Sequence, residues 1–119
     1  MIVVLFSTTH REGFPEAEYR ETSARMHEIV EAMPGFISYK EYQAEDGEGV
    51  AVVRFESEEA LREWGSHPEH RAAQRRGREA FYDDYWIQVC STIREGRFQR
   101  GSEYRNELAD FFRTPATMG

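Results

Sequence analysis

Val50-Ala51-Val52-Val53-Arg54-Phe55-Glu56-Ser57-Glu58-Glu59-Ala60-Leu61-Arg62-Glu63-Trp64 is a strand that runs straight into a helix. Val50 to Phe55 is nearly continuous in apolar residues, and β-branched and aromatic side chains suit a pleated surface. Ser57 then offers a hydroxyl to the free N–H groups of a first helical turn, with Glu58 and Glu59 at the positive end of the helix dipole. Consecutive strand residues point to opposite faces, so an unbroken apolar run puts apolar side chains on both. Both faces of this sheet need cover, and that requirement decides the fold.

The first stretch of the chain, Ile2 to Thr9, repeats the pattern with five apolar residues in a row. Phe14-Pro15 opens a helix, because proline suits a first turn and Glu16 and Glu18 follow it. Tyr19, Ser23, Met26, Val30 and Met33 recur every three or four residues as its inner stripe. Pro34-Gly35 stops that helix, residues 36–45 are extended, and Asp46-Gly47-Glu48-Gly49 is a hairpin turn into the strand quoted above. After Trp64, Gly65 is expected to end the short helix. Ser66-His67-Pro68-Glu69 opens another, with either Ser66 in a capping box or His67 as the cap. This piece runs to about Tyr82 with Ala73, Gly77, Ala80 and Phe81 inward, and Tyr85 to Ile93 forms the last strand.

The order strand, helix, two strands, split helix, strand predicts an α+β, ferredoxin-like β-α-β-β-α-β fold: a four-stranded antiparallel sheet with the first and third strands central. Two helices roof one face only. The other face predicts a homodimer of sheets packed face to face, with an interface on the order of 2,000 Å².

With 119 residues the chain has room for one core, and its net charge of −7 argues against nucleic acid or an anionic membrane as partner. Cys90 has no second cysteine to pair with, and the N-terminal apolar run lacks the basic flank and length of a signal peptide or membrane span. A cytoplasmic protein is expected. Residues 96–119 read as a polar linker and a short amphipathic helix, capped by Ser102, with Tyr104, Leu108, Phe111 and Phe112 on one face. That segment is expected to dock on the domain or on the partner subunit.

Potential chemistry concentrates at the corner between the two halves of the split helix: Trp64-Gly65-Ser66-His67-Pro68-Glu69-His70-Arg71-Ala72-Ala73-Gln74. His70 is the candidate base, since imidazole titrates near neutral pH and a helix N-terminal corner favours its uncharged form. Trp64 is the candidate wall of an aromatic slot, or equally a plug of the core. His67 is a cap beside Pro68 or a substrate contact. Tyr39, Gln74, Phe81 and Tyr85 complete the candidate lining. His67-x-x-His70 has no third ligand at fixed spacing, so no metal site is expected. His10 and His27 read as surface residues, Cys90 as an inert thiol, and Arg71, Arg75 and Arg78 as a solvated face salt-bridged by Glu69 and Glu79.

Met33-Pro34-Gly35-Phe36, then Phe55-x-Ser57-x-Glu59-Ala60-Leu61-x-x-Trp64, His67-Pro68-x-His70 and Phe81-Tyr82-x-x-Tyr85 together resemble the antibiotic biosynthesis monooxygenase family of the dimeric α/β-barrel superfamily, over residues 1–95. The resemblance implies a homodimer with a pocket between sheet and helices and Trp64 in its wall. It also implies a cofactor-independent monooxygenase acting on a small aromatic, polyketide or quinol compound and O₂. The haem-degrading branch of the family places an Asn late in the first strand and a His ten residues after the Trp. Here those places hold Ser7 or Thr8, and Gln74, which disfavours haem as cofactor. A dimeric protein that binds a small ligand without turnover is the third expectation, because fold alone does not assign a reaction.

Overall fold

The computed structural model describes residues 1–101; the amphipathic segment expected around Tyr104 to Phe112 lies outside the described residues. Eight elements follow in order: β1 (Ile2–His10), α1 (Glu16–Glu31), β2 (Phe36–Gln43), β3 (Gly49–Phe55), α2 (Glu58–Ser66), α3 (Pro68–Arg76), a π-helical turn (Gly77–Phe81) and β4 (Tyr82–Ser91). The antiparallel sheet has the order β2-β3-β1-β4, so the two strands with unbroken apolar runs are the central ones. This is the expected ferredoxin-like α+β arrangement.

The register sorts the side chains of β1 and β3. Val4 pairs with Val53 and Phe6 with Ala51, and these residues, with Ile2 and Phe55, face the helices and form the core with Val30, Ala60 and Trp64. Val3, Leu5, Val50 and Val52 fall on the opposite face by alternation. No helix covers them among the described residues, and Tyr42 and Trp86 on the same face are 57% and 61% exposed.

Local chemistry sets the helix ends. The Ser57 hydroxyl accepts the Ala60 N–H at 3.2 Å, as its place before two glutamates predicts. Gly65 does not end α2, which continues through Ser66. The Ser66 hydroxyl donates to the Arg62 carbonyl at 2.8 Å and forms no capping box. His67 is the cap instead: its backbone is extended (ψ 127°), as a residue before proline prefers, and Nδ1 accepts the Glu69 N–H at 3.1 Å. Gly35 closes the α1–β2 connection at φ +83°, where a Cβ would sit 2.5 Å from that of Ala60. Only glycine satisfies both that angle and that approach.

Two departures from the sequence reading matter for function. The second helical segment ends at Phe81 in a π turn, and β4 starts at Tyr82, three residues earlier than its alternation suggests. Beside it, Thr9 pairs with Asp84 while His10 pairs with Tyr82, so β4 carries one extra residue there. Such a bulge shifts which side chains share a face. Tyr82 and Tyr85, three apart, both turn toward the helices.

Candidate active site

Between the helix-facing side of the sheet and the three helices lies a cavity of about 510 Å³, within the roughly 300–1,000 Å³ usual for small-molecule sites. Its floor is Val4, Phe6, Ala51 and Val53, its roof comes from Tyr19 and Met26 on α1 and from Leu61 and Trp64 on α2, and Ile87 and Val89 border it along β4. Those last two residues are 43% and 53% exposed, so the cavity is open along the β4 edge.

His70 and Trp64 form one unit. Their rings stack with centroids 4.0 Å apart and planes at 17°, and Nδ1 of His70 lies 3.0 Å from the Trp64 carbonyl oxygen. A carbonyl only accepts, so Nδ1 carries the ring proton and Nε2 is left with its lone pair. Burial pushes the His70 pKa down to about 4 against the pull of that carbonyl, and the neighbouring His67 adds to the depression. At neutral pH the imidazole is uncharged. Trp64 itself is 7% exposed, and it both fills the core and walls the cavity.

Gln74, Tyr39, Phe81 and Tyr85 all reach the cavity lining with Trp64 and His70. His67 does not line it, because its ring is turned to the cap of α3. Burial, then the Glu41 carboxylate, holds the Tyr39 phenol above its ordinary range, and its hydroxyl donates to Glu41 Oε1 at 3.1 Å. Tyr85 Oη accepts from Arg78 at 3.3 Å.

Sequence reasoning left two lining tyrosines without a site role. From the sequence, Tyr19 takes a place on the α1 stripe and none in the site, and the helical segment is expected to run to about Tyr82. The spacing Tyr82-x-x-Tyr85 carried the signal, since two cavity-facing residues three apart in a strand require a bulge. Gly77 makes room for Tyr82: a Cβ there would lie 2.8 Å from the Tyr82 ring.

The other histidines are less solvated than expected. His10 stacks on Phe14 with centroids 4.1 Å apart, and His27 packs on Tyr39 at 3.9 Å. The arginine face is also wired differently. Glu69 pairs with Arg25 across to α1 at 2.8 Å, and Arg76 grips Glu18 on α1 in a bidentate pair, its second bond 2.8 Å long. These pairs join α1 to α3 above the cavity.

A family model for antibiotic biosynthesis monooxygenase matches residues 1–76, more than half of the chain. The chain belongs to the antibiotic biosynthesis monooxygenase family. It is 32% identical over 99 residues to the uncharacterized protein YqjZ of Bacillus subtilis (strain 168), covering 83% of this chain and 85% of that one. Among solved structures it resembles Rv0793 from Mycobacterium tuberculosis, with a TM-score of 0.69 and 24% identity over 79% of this chain and 96% of that chain. It also resembles SnoaB, a cofactor-independent oxygenase from Streptomyces nogalater, with a TM-score of 0.63 and 14% identity over 85% of this chain and 97% of that chain. At such identities the structural likeness carries the fold alone.

Within this family the haem question turns on Gln74. It lines the cavity at the place from which the haem-degrading branch is expected to ligate iron, but a side-chain amide has no basic nitrogen to bind it. No group of three or more metal-ligating side chains occurs among the described residues, and none of their helices is long and apolar enough to cross a membrane.

Proposed function

We propose that this protein is a homodimeric, cofactor-independent monooxygenase of a small electron-rich aromatic or quinol compound, with His70 as base and Trp64 as the wall of the ring slot. The observation that carries this reading is the His70–Trp64 unit: an uncharged imidazole whose tautomer is set by a backbone carbonyl, in the wall of an apolar cavity of suitable size.

The chemistry follows from the substrate. A ring methylene activated by a neighbouring phenol or carbonyl loses a proton to His70 Nε2, and the resulting anion gives one electron to O₂. Recombination forms a carbon–oxygen bond and a hydroperoxide, which loses water to leave a new carbonyl. Methylene plus O₂ thus becomes carbonyl plus water, and no outside reductant is consumed. A depressed pKa keeps the base unprotonated, and the substrate anion beside the new imidazolium restores part of the basicity that burial removes. An apolar lining strengthens each hydrogen bond to the developing charge by excluding water.

The name of SnoaB as a cofactor-independent oxygenase supports the reaction class, and Gln74 in place of an iron ligand is consistent with it. Tyr42, Trp86 and the valines and leucine beside them supply the apolar surface that a partner sheet would cover. The test is O₂ uptake with 1,8-dihydroxyanthrone, followed with the appearance of its quinone. Wild-type protein is expected to exceed the spontaneous rate, with loss of that excess in His70→Ala and Trp64→Phe. No excess rate for the wild type, or full activity in His70→Ala, overturns the assignment.

A further inference from the structure

Four tyrosines line the cavity, Tyr19 on α1, Tyr39 on β2, and Tyr82 and Tyr85 on β4, the oxygen of Tyr85 being held by Arg78. Tyr39 has spent its proton on Glu41. The rings of Tyr19 and Tyr82 meet edge to face with centroids 6.2 Å apart, near enough for one hydroxyl to act on the other as a hydrogen-bond partner. A hydroxyl has one proton to give. When two of them bond to each other, one O–H stays unspent whichever ring donates. Burial, first among the causes, raises both phenols and so keeps them protonated donors. A partly desolvated donor with no acceptor is costly until one arrives.

The position of the pair is fixed. α1 and α3 run side by side, with Arg25 on Glu69 at one end and Glu18 on Arg76 at the other. His70 follows Glu69, and Tyr19 follows Glu18. The six residues from His70 to Arg76 rise about 9 Å, a length comparable with a small fused-ring system. Phe6 and Phe81 pack edge-on around the pair, Phe6 on Tyr82 at 5.8 Å and Phe81 on Tyr19 at 5.4 Å, so the donor sits among ring faces.

We propose that Tyr19 and Tyr82 act together as the donor that receives a carbonyl oxygen of a flat ring ligand, at the end of the cavity away from His70. The proposal rests on the reading of the cavity as a slot for aromatic rings. It makes the tyrosine pair a specificity device. His70 takes a proton at one end of the ligand, and the phenols hold an oxygen at the other, so a ligand lacking that oxygen binds without a fixed orientation.

The test compares two probes that differ by one carbonyl oxygen, 1-tetralone and tetralin, with binding read by calorimetry on the full chain. In the Tyr19→Phe/Tyr82→Phe double variant the affinity for 1-tetralone is expected to fall roughly three- to tenfold, the scale of one lost hydrogen bond, while tetralin binds as before. Each single variant leaves one hydroxyl with a free proton and is expected to keep most of the affinity. A double variant that binds 1-tetralone as the wild type does, or that loses both probes equally, overturns the proposal. A second measurement needs no variant: the carbonyl stretch of 1-tetralone bound to wild-type protein moves to lower wavenumber when a phenol donates to it, and an unshifted band overturns the assignment. Neither assay depends on turnover, so a failed oxygenation test with a shifted carbonyl band rejects the reaction and keeps the donor pair. If neither probe binds, the slot and the pair fall together.

Discussion

His70 lies flat against Trp64, 4.0 Å between ring centroids, while its Nδ1 reaches back 3.0 Å to the carbonyl of that same tryptophan. One residue therefore shields a face of the imidazole and also sets its tautomer. The six-residue step from Trp64 to His70 spans the end of α2, the His67 cap and the first turn of α3, so the angle between two short helices holds the pair together.

Keeping this imidazole neutral has a pH signature. Its pKa is about 4 in the folded protein against an ordinary 6.5, so between those values the unfolded chain binds a proton that the folded chain refuses. Stability is therefore expected to fall as pH drops from about 6.5 to about 4 and to level off below, by at most on the order of 3–4 kcal/mol from this group. Urea unfolding of the wild type and His70→Phe across that window checks it. The variant should lack this part of the slope, and identical slopes would show that His70 is solvated.

His67 is expected to matter for stability rather than chemistry. Removing its cap on the Glu69 N–H in His67→Ala should cost about 1 kcal/mol, and His67→Asn should restore most of it, because asparagine caps as well. Oxygen uptake by His67→Asn at the wild-type rate, together with a recovered unfolding midpoint, is the expected pair of results.

Gly35→Ala combines two penalties, a left-handed backbone angle and a Cβ only 2.5 Å from that of Ala60. A loss of about 2–4 kcal/mol follows from the strain and the forced repacking of α2 against the α1–β2 turn. Thermal denaturation measures it, and a loss below about 1 kcal/mol would mean that α2 shifts freely.

The Arg25–Glu69 pair is half-exposed on both sides. Arg25→Gln is expected to lower the melting temperature slightly in dilute buffer and not at all in about 1 M NaCl, where the Debye length is roughly 3 Å. A loss that persists in high salt would show that Arg25 contributes by packing.

The strand and helix order was legible because unbroken runs such as Ile2 to Phe6 and Val50 to Phe55 leave no other reading, and because Ser57 and Pro34-Gly35 mark their boundaries with local chemistry. Trp64, His70 and Gln74 were legible as neighbours because all three sit on one short corner. Tyr19 and Tyr82 had no place in the predicted site. Their meeting depends on the π turn and the bulge, two one-residue irregularities that periodicity averages away. The ion pairs from Glu69 and Arg76 to α1 were hidden for a related reason: charges at helical spacing suggest partners on the same helix, and only the packing of α3 on α1 redirects them.

The extra residue at the start of β4 makes strand irregularity, as well as residue type, a determinant of what the slot presents. A strand that ran regularly through the four residues from Tyr82 to Tyr85 would turn Tyr82 to the opposite surface from Tyr85 and take the unspent phenol out of the slot, whereas deleting Asp83 would remove the bulge and leave both tyrosines on one surface. Relatives that keep all four residues but run as a regular strand there would diverge in ligand preference without a substitution at any lining position.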